Sequence, residues 1–260
     1  MPITIQIRFY EELNDFLKPE QRKKPQFKKL DHKTTVKDII QSYGIPHTEV
    51  DLILINSQST GFDHQVRDGD RISVYPVFES LDISELTKLQ KKPLRQLCFV
   101  ADVHLGKLVR NMRLLGLDVN YSNTYSKADL LEQVVLQQRI LLTGDRQLLM
   151  HNIVRRGYLV RSSDPDQQIK ELIQRFQLGQ QLKPFTRCLH CNGLLEQVAK
   201  TTILDQLEVK TKQYYEDFVQ CRGCRKIYWK GSHYTKMRAF IGQIIDSEQA
   251  LNEKTNGLST

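Results

Sequence analysis

No apolar run in this 260-residue chain reaches the roughly 20 residues that a membrane-spanning helix needs, which argues against an integral membrane protein. A signal peptide is not expected either: the first residues, "MPITIQIRFYEEL", alternate in polarity and carry charge. Five cysteines in a chain this long are too few for a disulfide framework, so a reducing compartment, the cytoplasm, is expected. No internal repeat is found. What is present is enough for a packed core, with 40% hydrophobic and 26% charged residues. The length suits one large domain or two to three small ones. A net charge of +8 suits a polyanionic partner such as nucleic acid or an acidic membrane surface, although a soluble basic protein with no such partner has the same balance.

Three compositional blocks follow one another. Residues 1–83 contain the alternating strand "ITIQIRFY" and a helix, "TTVKDIIQSYG", with Thr35 and Asp38 spaced as a capping box. Two further strands, "VDLILIN" and "RISVYPVF", complete the block, the second entered through an Asp68-Gly69 turn. This order predicts a small β-grasp sheet with one helix, interrupted by a loop at "KPEQRKKPQFKK". Residues 84–95 are polar, basic and proline-containing, and read as a linker. Residues 96–181 alternate strand and helix: "LCFVA", "HLGKLVRNMRLLG", "DVNYS", "SKADLLEQVVLQQ", "ILLTG", "YLVRSS" and "DPDQQIKELIQRFQ". That rhythm predicts an α/β domain, a mostly parallel sheet with helices on both faces. Residues 182–245 hold four of the five cysteines, and 246–260 read as a disordered tail.

Acids stand where parallel strands end. Asp102 follows "LCFVA", Asp145 follows "ILLTG", and Asp164 comes shortly after "YLV". Ligands of parallel sheets bind beyond the carboxyl ends of the strands. Clustered carboxylates repel unless a cation neutralises them, and hard divalent cations such as Mg²⁺ or Mn²⁺ take oxygen ligands. Asp102 and Asp145 are therefore the candidate metal ligands. Asp164 suits a helix N-cap better than a ligand, and Asp129, in the first turn of its helix, can serve either the site or the helix dipole. Lys107, Arg110 and Arg113, at three-residue spacing, are expected on one helix face, either gripping phosphate or simply solvated. Arg146, next to Asp145, is a further candidate for substrate contact.

Cys188-x-x-Cys191 and Cys221-x-x-Cys224 have the spacing of two zinc knuckles, and four thiolates close a tetrahedral shell around a structural zinc. Strands between the pairs are expected from "VKTKQYYEDFVQ". The following "RKIYWKGSHYTKMR" mixes cations with Trp229, Lys230 and His233. Such a mixture suits phosphate contact and base stacking, or packing of the small ribbon against its neighbour.

The motifs "FVADVHLGKLVRNMRLLGLDV", "ILLTGDRQLL", "YLVRSSDPDQQI" and "CRGCRKIYWKGSHY" together resemble the Mut-seven C-terminal RNase domain family, and "VRDGDRISVYPVFES" resembles the ubiquitin-like domain that often precedes it. The resemblance implies a PIN-like fold with an attached zinc ribbon and metal-dependent RNA cleavage. It implies catalytic roles for Asp102, Asp129, Asp145 and Asp164, and an RNA substrate, single-stranded or tRNA-like. His104 departs from the commonest family spelling. Sulfur-carrier proteins resemble the first block too, but "YPVFESLDI" continues without their Gly-Gly terminus. A protein-docking or RNA-positioning role is expected for that block instead. The competing readings are a non-catalytic RNA-binding adaptor and a nuclease directed at DNA.

Overall fold

A computed structural model describes residues 2–76, 86–89 and 97–256. The expected linker therefore lies largely outside the described residues. Alternation builds the N-terminal sheet. β1 (Ile3–Phe9) buries Ile5, Ile7 and Phe9 on one face. β2 (Gln26–Leu30) pairs antiparallel with it, in the segment expected to be a loop. Its strand signal is masked because an edge strand tolerates lysines and exposes Phe27. α1 (Val36–Ser42) opens with the Thr35–Asp38 capping box and buries Val36, Ile39 and Ile40. β3 (Val50–Ile55), β4 (Gln58–Ser59) and β5 (Arg71–Pro76) complete a five-stranded sheet of order β2-β1-β5-β3-β4. β1 and β5 run parallel at its centre, as the β-grasp expectation requires.

Strand and helix then alternate: β6 (Cys98–Ala101), α2 (Gly106–Leu114), β7 (Asp118–Asn120), α3 (Lys127–Leu136), β8 (Ile140–Thr143), α4 (Arg146–Met150), β9 (Gly157–Leu159) and α5 (Pro165–Phe176). β6 pairs parallel with β7, and β8 with β9. All four residues of β8 and all three of β9 are buried, which is why they read as apolar runs without alternation. The protein is thus a mixed α/β chain, with parallel β-structure flanked by helices between an N-terminal sheet and a C-terminal cysteine cluster.

In the last block, β10 (Leu195–Val198), β11 (Phe218–Cys221) and β12 (Ile227–Trp229) form an antiparallel sheet. The segment "VKTKQYYEDFVQ" contributes only its end to a strand; its start forms a helix, α6 (Val209–Tyr214). α7 (Ser232–Asn256) extends into the tail expected to be disordered, through a stretch rich in the helix formers Glu, Gln, Ala and Leu.

The chain divides into two compact units, Met1–Leu97 with Tyr125–Val160, and Cys98–Thr124 with Arg161–Thr260. In the first, the turn His47–Glu49 packs against α4 and β9. His47 Nε2 meets the Val154 carbonyl at 2.8 Å, and Glu49 Oε1 accepts the Leu159 N–H at 3.0 Å. Gln41 donates to the Met150 carbonyl at 3.0 Å. In the second, Gly116 ends α2 at φ +85°, and a Cβ there would stand 2.1 Å from the Lys183 carbonyl oxygen. Glycine at this position lets residues 183–185 bond to the last carbonyls of the helix.

Candidate functional site

Each strand-end acid also serves its own backbone. In the first unit, Asp145 Oδ1 accepts the Gln147 N–H at 2.8 Å and so caps α4. Its Oδ2 receives the Lys127 ammonium at 2.7 Å. The Lys127 hydrogen bond holds the Asp145 carboxyl below the ordinary carboxylate range, against the opposing effect of partial burial. Lys127 was not legible as a site residue, since it is a solvent-facing residue at the start of α3 and only the fold brings it to Asp145. Asp129 completes a capping box with Ser126, accepting its N–H and hydroxyl, each at 2.8 Å. Those two bonds lower its pKa as well.

In the second unit, Asp102 is 7% exposed, and its Oδ1 accepts the His104 N–H at 2.9 Å, opening the turn that leads into α2. Asp164 caps α5, accepting the Asp166 N–H at 3.4 Å. The local pattern, an acid at or just inside the start of a helix or turn, produces all four caps.

The Asp145–Lys127 pair carries a testable pH signature. The folded pKa lies below the unfolded one, so the pair stabilises the fold above the unfolded carboxylate pKa of about 4 and loses that contribution as acid protonates Asp145. Lys127→Ala is expected to shift the Asp145 carboxyl titration upward. Side-chain ¹³C chemical shifts against pH measure this, and an unmoved titration would show that the ammonium does not govern the carboxylate.

The three basic residues of α2 part company. Lys107 and Arg110 are exposed, whereas Arg113 is 4% exposed. Each three-residue step drifts by about 60° around a helix of 3.6 residues per turn, so residues 107 and 113 diverge by about 120°. The Arg113 guanidinium donates to the carbonyls of Val119, Leu189 and His190, the shortest bond being 2.7 Å. Asn192 Oδ1 accepts the Val119 N–H, and the Arg187–Asp118 ion pair closes at 3.0 Å. These bonds fasten the first cysteine knuckle to α2 and β7. Arg146 is exposed, with its guanidinium 4.9 Å from the centre of the Phe16 ring.

The four cysteines converge. Their Sγ atoms all lie within 4.8 Å of one another, and they are the one group of three or more potential ligands found among the described residues. The Cys188–Cys224 and Cys191–Cys221 separations are 3.6 and 3.4 Å. A tetrahedron with Zn–S bonds of about 2.3 Å has S···S edges of about 3.8 Å, so the cluster can hold a metal ion such as zinc. Burial pushes the Cys188 thiol up, but bonds from the Tyr228 hydroxyl at 3.0 Å and from backbone amides outweigh it and leave the thiol at about 6. Although Cys224 is exposed, desolvation of its sulfur among the neighbouring thiols of Cys191, Cys188 and Cys221 pushes it up to about 12. Four neighbouring thiols cannot all ionise unless a cation offsets them. Gly193 belongs to this packing, since a Cβ there would stand 2.8 Å from Cys221 Sγ.

Beyond the knuckles, Trp229 is 40% exposed beside Tyr215 and Phe218, while Lys230 and His233 face solvent.

The family model described as Mut7-C RNAse domain matches residues 97–241, and the one described as Mut7-C ubiquitin matches residues 2–82. Neither a curated protein nor a solved structure matches the chain significantly. Among the described residues, no helix is long and apolar enough to cross a membrane.

Proposed function

Because the chain belongs to the Mut7-C RNAse domain family, we propose that it is a ribonuclease that hydrolyses RNA phosphodiester bonds with the help of Mg²⁺ or Mn²⁺. The family match over residues 97–241, which contain the strand-end acids Asp102, Asp145 and Asp164 and the helix acid Asp129, carries this reading. Asp102 and Asp145 are the proposed ligands, and Asp129 and Asp164 complete the proposed acid set. Asp145 offers an oxygen donor of the kind a hard cation takes, but its Oδ2 is held by the Lys127 ammonium, which the ion would have to displace, and no three of these acids bring ligand atoms together among the described residues. A divalent ion bound there would supply activation of water and stabilisation of the leaving oxygen. Lys127 is the resident counter-charge, holding Asp145 deprotonated. Lys107, Arg110, Arg146, Trp229, Lys230 and His233 are the proposed RNA contacts, and Arg113 supports them by fixing the junction of α2 with the first knuckle. The four cysteines are proposed to hold zinc as a structural ion.

One observation favours a second reading, a non-catalytic RNA-binding adaptor: every one of the acids already caps a helix or turn. A cleavage assay separates the two. Labelled single-stranded RNA, structured RNA and single-stranded DNA are incubated with Mg²⁺, Mn²⁺ or no added divalent ion, beside Asp145→Asn. RNA cleavage that needs the ion and falls at least about a thousandfold in the variant, a loss of roughly 4 kcal/mol of transition-state stabilisation, supports the nuclease. RNA that binds tightly but stays whole under every condition supports the adaptor. Cleavage confined to DNA would overturn the assignment of substrate.

A further inference from the structure

A cavity of about 480 Å³ opens in the second unit, between α2 and the cysteine knuckles. Its lining includes Arg110 and Arg113 from α2, Tyr121 just past β7, His190 from the first knuckle, Lys226 just past the second, and Tyr228 from β12. Among the described residues, no acid lines it. The Arg110 and Lys226 side chains have no ion-pair partner among the described residues, and both are exposed at the cavity. The contrast with the cleft beside Trp229 is informative. There Lys200 pairs with Glu216 at 2.6 Å, and Lys230 lies 4.0 Å from Asp217, so both cations have acids of their own. Two unpaired cations around a concave, aromatic-walled space leave a charge that an anion would satisfy.

The walls are fixed in place. Tyr121 donates its hydroxyl hydrogen to the Val103 carbonyl at 3.0 Å, and the Tyr228 hydroxyl meets Cys188 Sγ at 3.0 Å. Arg113 is occupied by three carbonyls and so holds the cavity's shape while its charge stays buried beneath it. Val103 follows Asp102 directly, so the Tyr121 bond ties this wall to the turn that Asp102 opens.

We propose that this cavity is a nucleotide subsite, in which Arg110 and Lys226 receive a backbone phosphate of single-stranded RNA and Tyr121 and Tyr228 form the wall beside its base. The volume falls within the range of small-molecule sites, and base–aromatic contact next to a basic groove is the usual chemistry of single-strand binding. The proposal rests on the nucleic-acid reading above and adds a place for the strand. It competes with a simpler role for these cations, offsetting the net negative charge of four thiolates around a divalent ion.

The test uses the full chain carrying Asp145→Asn, so that RNA is bound and not cut. The affinity of a fluorescent single-stranded oligoribonucleotide is measured by anisotropy at several salt concentrations, with metal content determined alongside. Arg110→Ala with Lys226→Ala is compared with Lys24→Ala with Lys29→Ala, an exposed pair on the ubiquitin-like domain. The cavity pair is expected to weaken binding about tenfold and to make the log–log salt slope shallower by about 0.7 for each phosphate no longer neutralised. Metal content should stay that of the parent, and the control pair should change affinity less than twofold. Unchanged affinity in the cavity variant overturns the proposal, and metal loss without weaker binding assigns the cations to the cluster. If wild-type protein cleaves RNA through Asp145 while the cavity variant binds like its parent, the subsite fails and the nuclease reading stands. If the parent does not bind RNA at all, both fail.

Discussion

Stripping the zinc proposed for the four-cysteine site is expected to unfold the ribbon while the N-terminal sheet stays folded. Apart from the bonds that fasten its first knuckle to α2 and β7, the ribbon has little of its own to hold it. Its own buried cluster is Ile203, Leu207 and Phe218, with Val198, Tyr215 and Ile227 packed alongside, and its strands are three or four residues long. Structural zinc contributes roughly 10–16 kcal/mol of apparent binding energy in small zinc-dependent modules, which far exceeds what such a cluster supplies. Cys221→Ser should have the same effect, because Cys221 is fully buried and lies against Cys191 Sγ at 3.4 Å. Hydrogen exchange with and without a zinc chelator measures this. Amides of β10 to β12 should lose protection, and amides of β1 to β5 should keep it. Unaltered protection in the ribbon would mean that the cysteines hold no ion that matters to the fold.

Removing residues 2–82 is expected to cost the rest of the first unit its fold. The ubiquitin-like domain does not merely precede α4 and β9; its turn His47–Glu49 is buried against them. Glu49 is 4% exposed and takes the Leu159 N–H, His47 meets the Val154 carbonyl, and Gln41 reaches the Met150 carbonyl. Without these partners, backbone groups of β9 and of the turn after α4 are left unsatisfied, and buried Leu149, Val154 and Leu159 lose cover. The milder Glu49→Ala should cost about 2–3 kcal/mol, because it leaves a buried N–H without its acceptor. Glu49→Gln, which retains an acceptor oxygen, should cost clearly less. Denaturant unfolding of the full chain, with the truncated chain beside it, measures both. A truncated protein that unfolds cooperatively at the parent's midpoint would show that the domain is a separable recruitment module. Asp145 caps α4, so the same contacts bear on the proposed site: a loosened α4 should lower cleavage even where RNA affinity holds.

Much of the fold was legible because its signals are local. Alternation in "ITIQIRFY", the Thr35–Asp38 box and the Asp68-Gly69 turn each act within a few residues, and the parallel strands announce themselves as short apolar runs. β2 was not legible because an edge strand needs no apolar face, and α6 because only three residues separate the helical start of "VKTKQYYEDFVQ" from the strand that follows it. The cysteine cluster was readable for the same local reason: each C-x-x-C turn delivers two thiols to one point, so only the meeting of the two turns remained for the fold.

The rest depended on distance in sequence. Spacing along α2 does not say that Arg113 turns inward to carbonyls of the first knuckle 76 and 77 residues away. Nor does it say that Lys127 neutralises Asp145 across 18 residues, or that Glu49 finds Leu159 across 110. By itself the sequence determined which segments become strands and helices, which acids end the strands, and which thiols could share an ion, since propensity, capping and ligand spacing act over a few residues. The tertiary structure alone decided which charges are spent on packing and which remain to meet a ligand, since burial and ion pairing depend on neighbours that only the folded chain brings together.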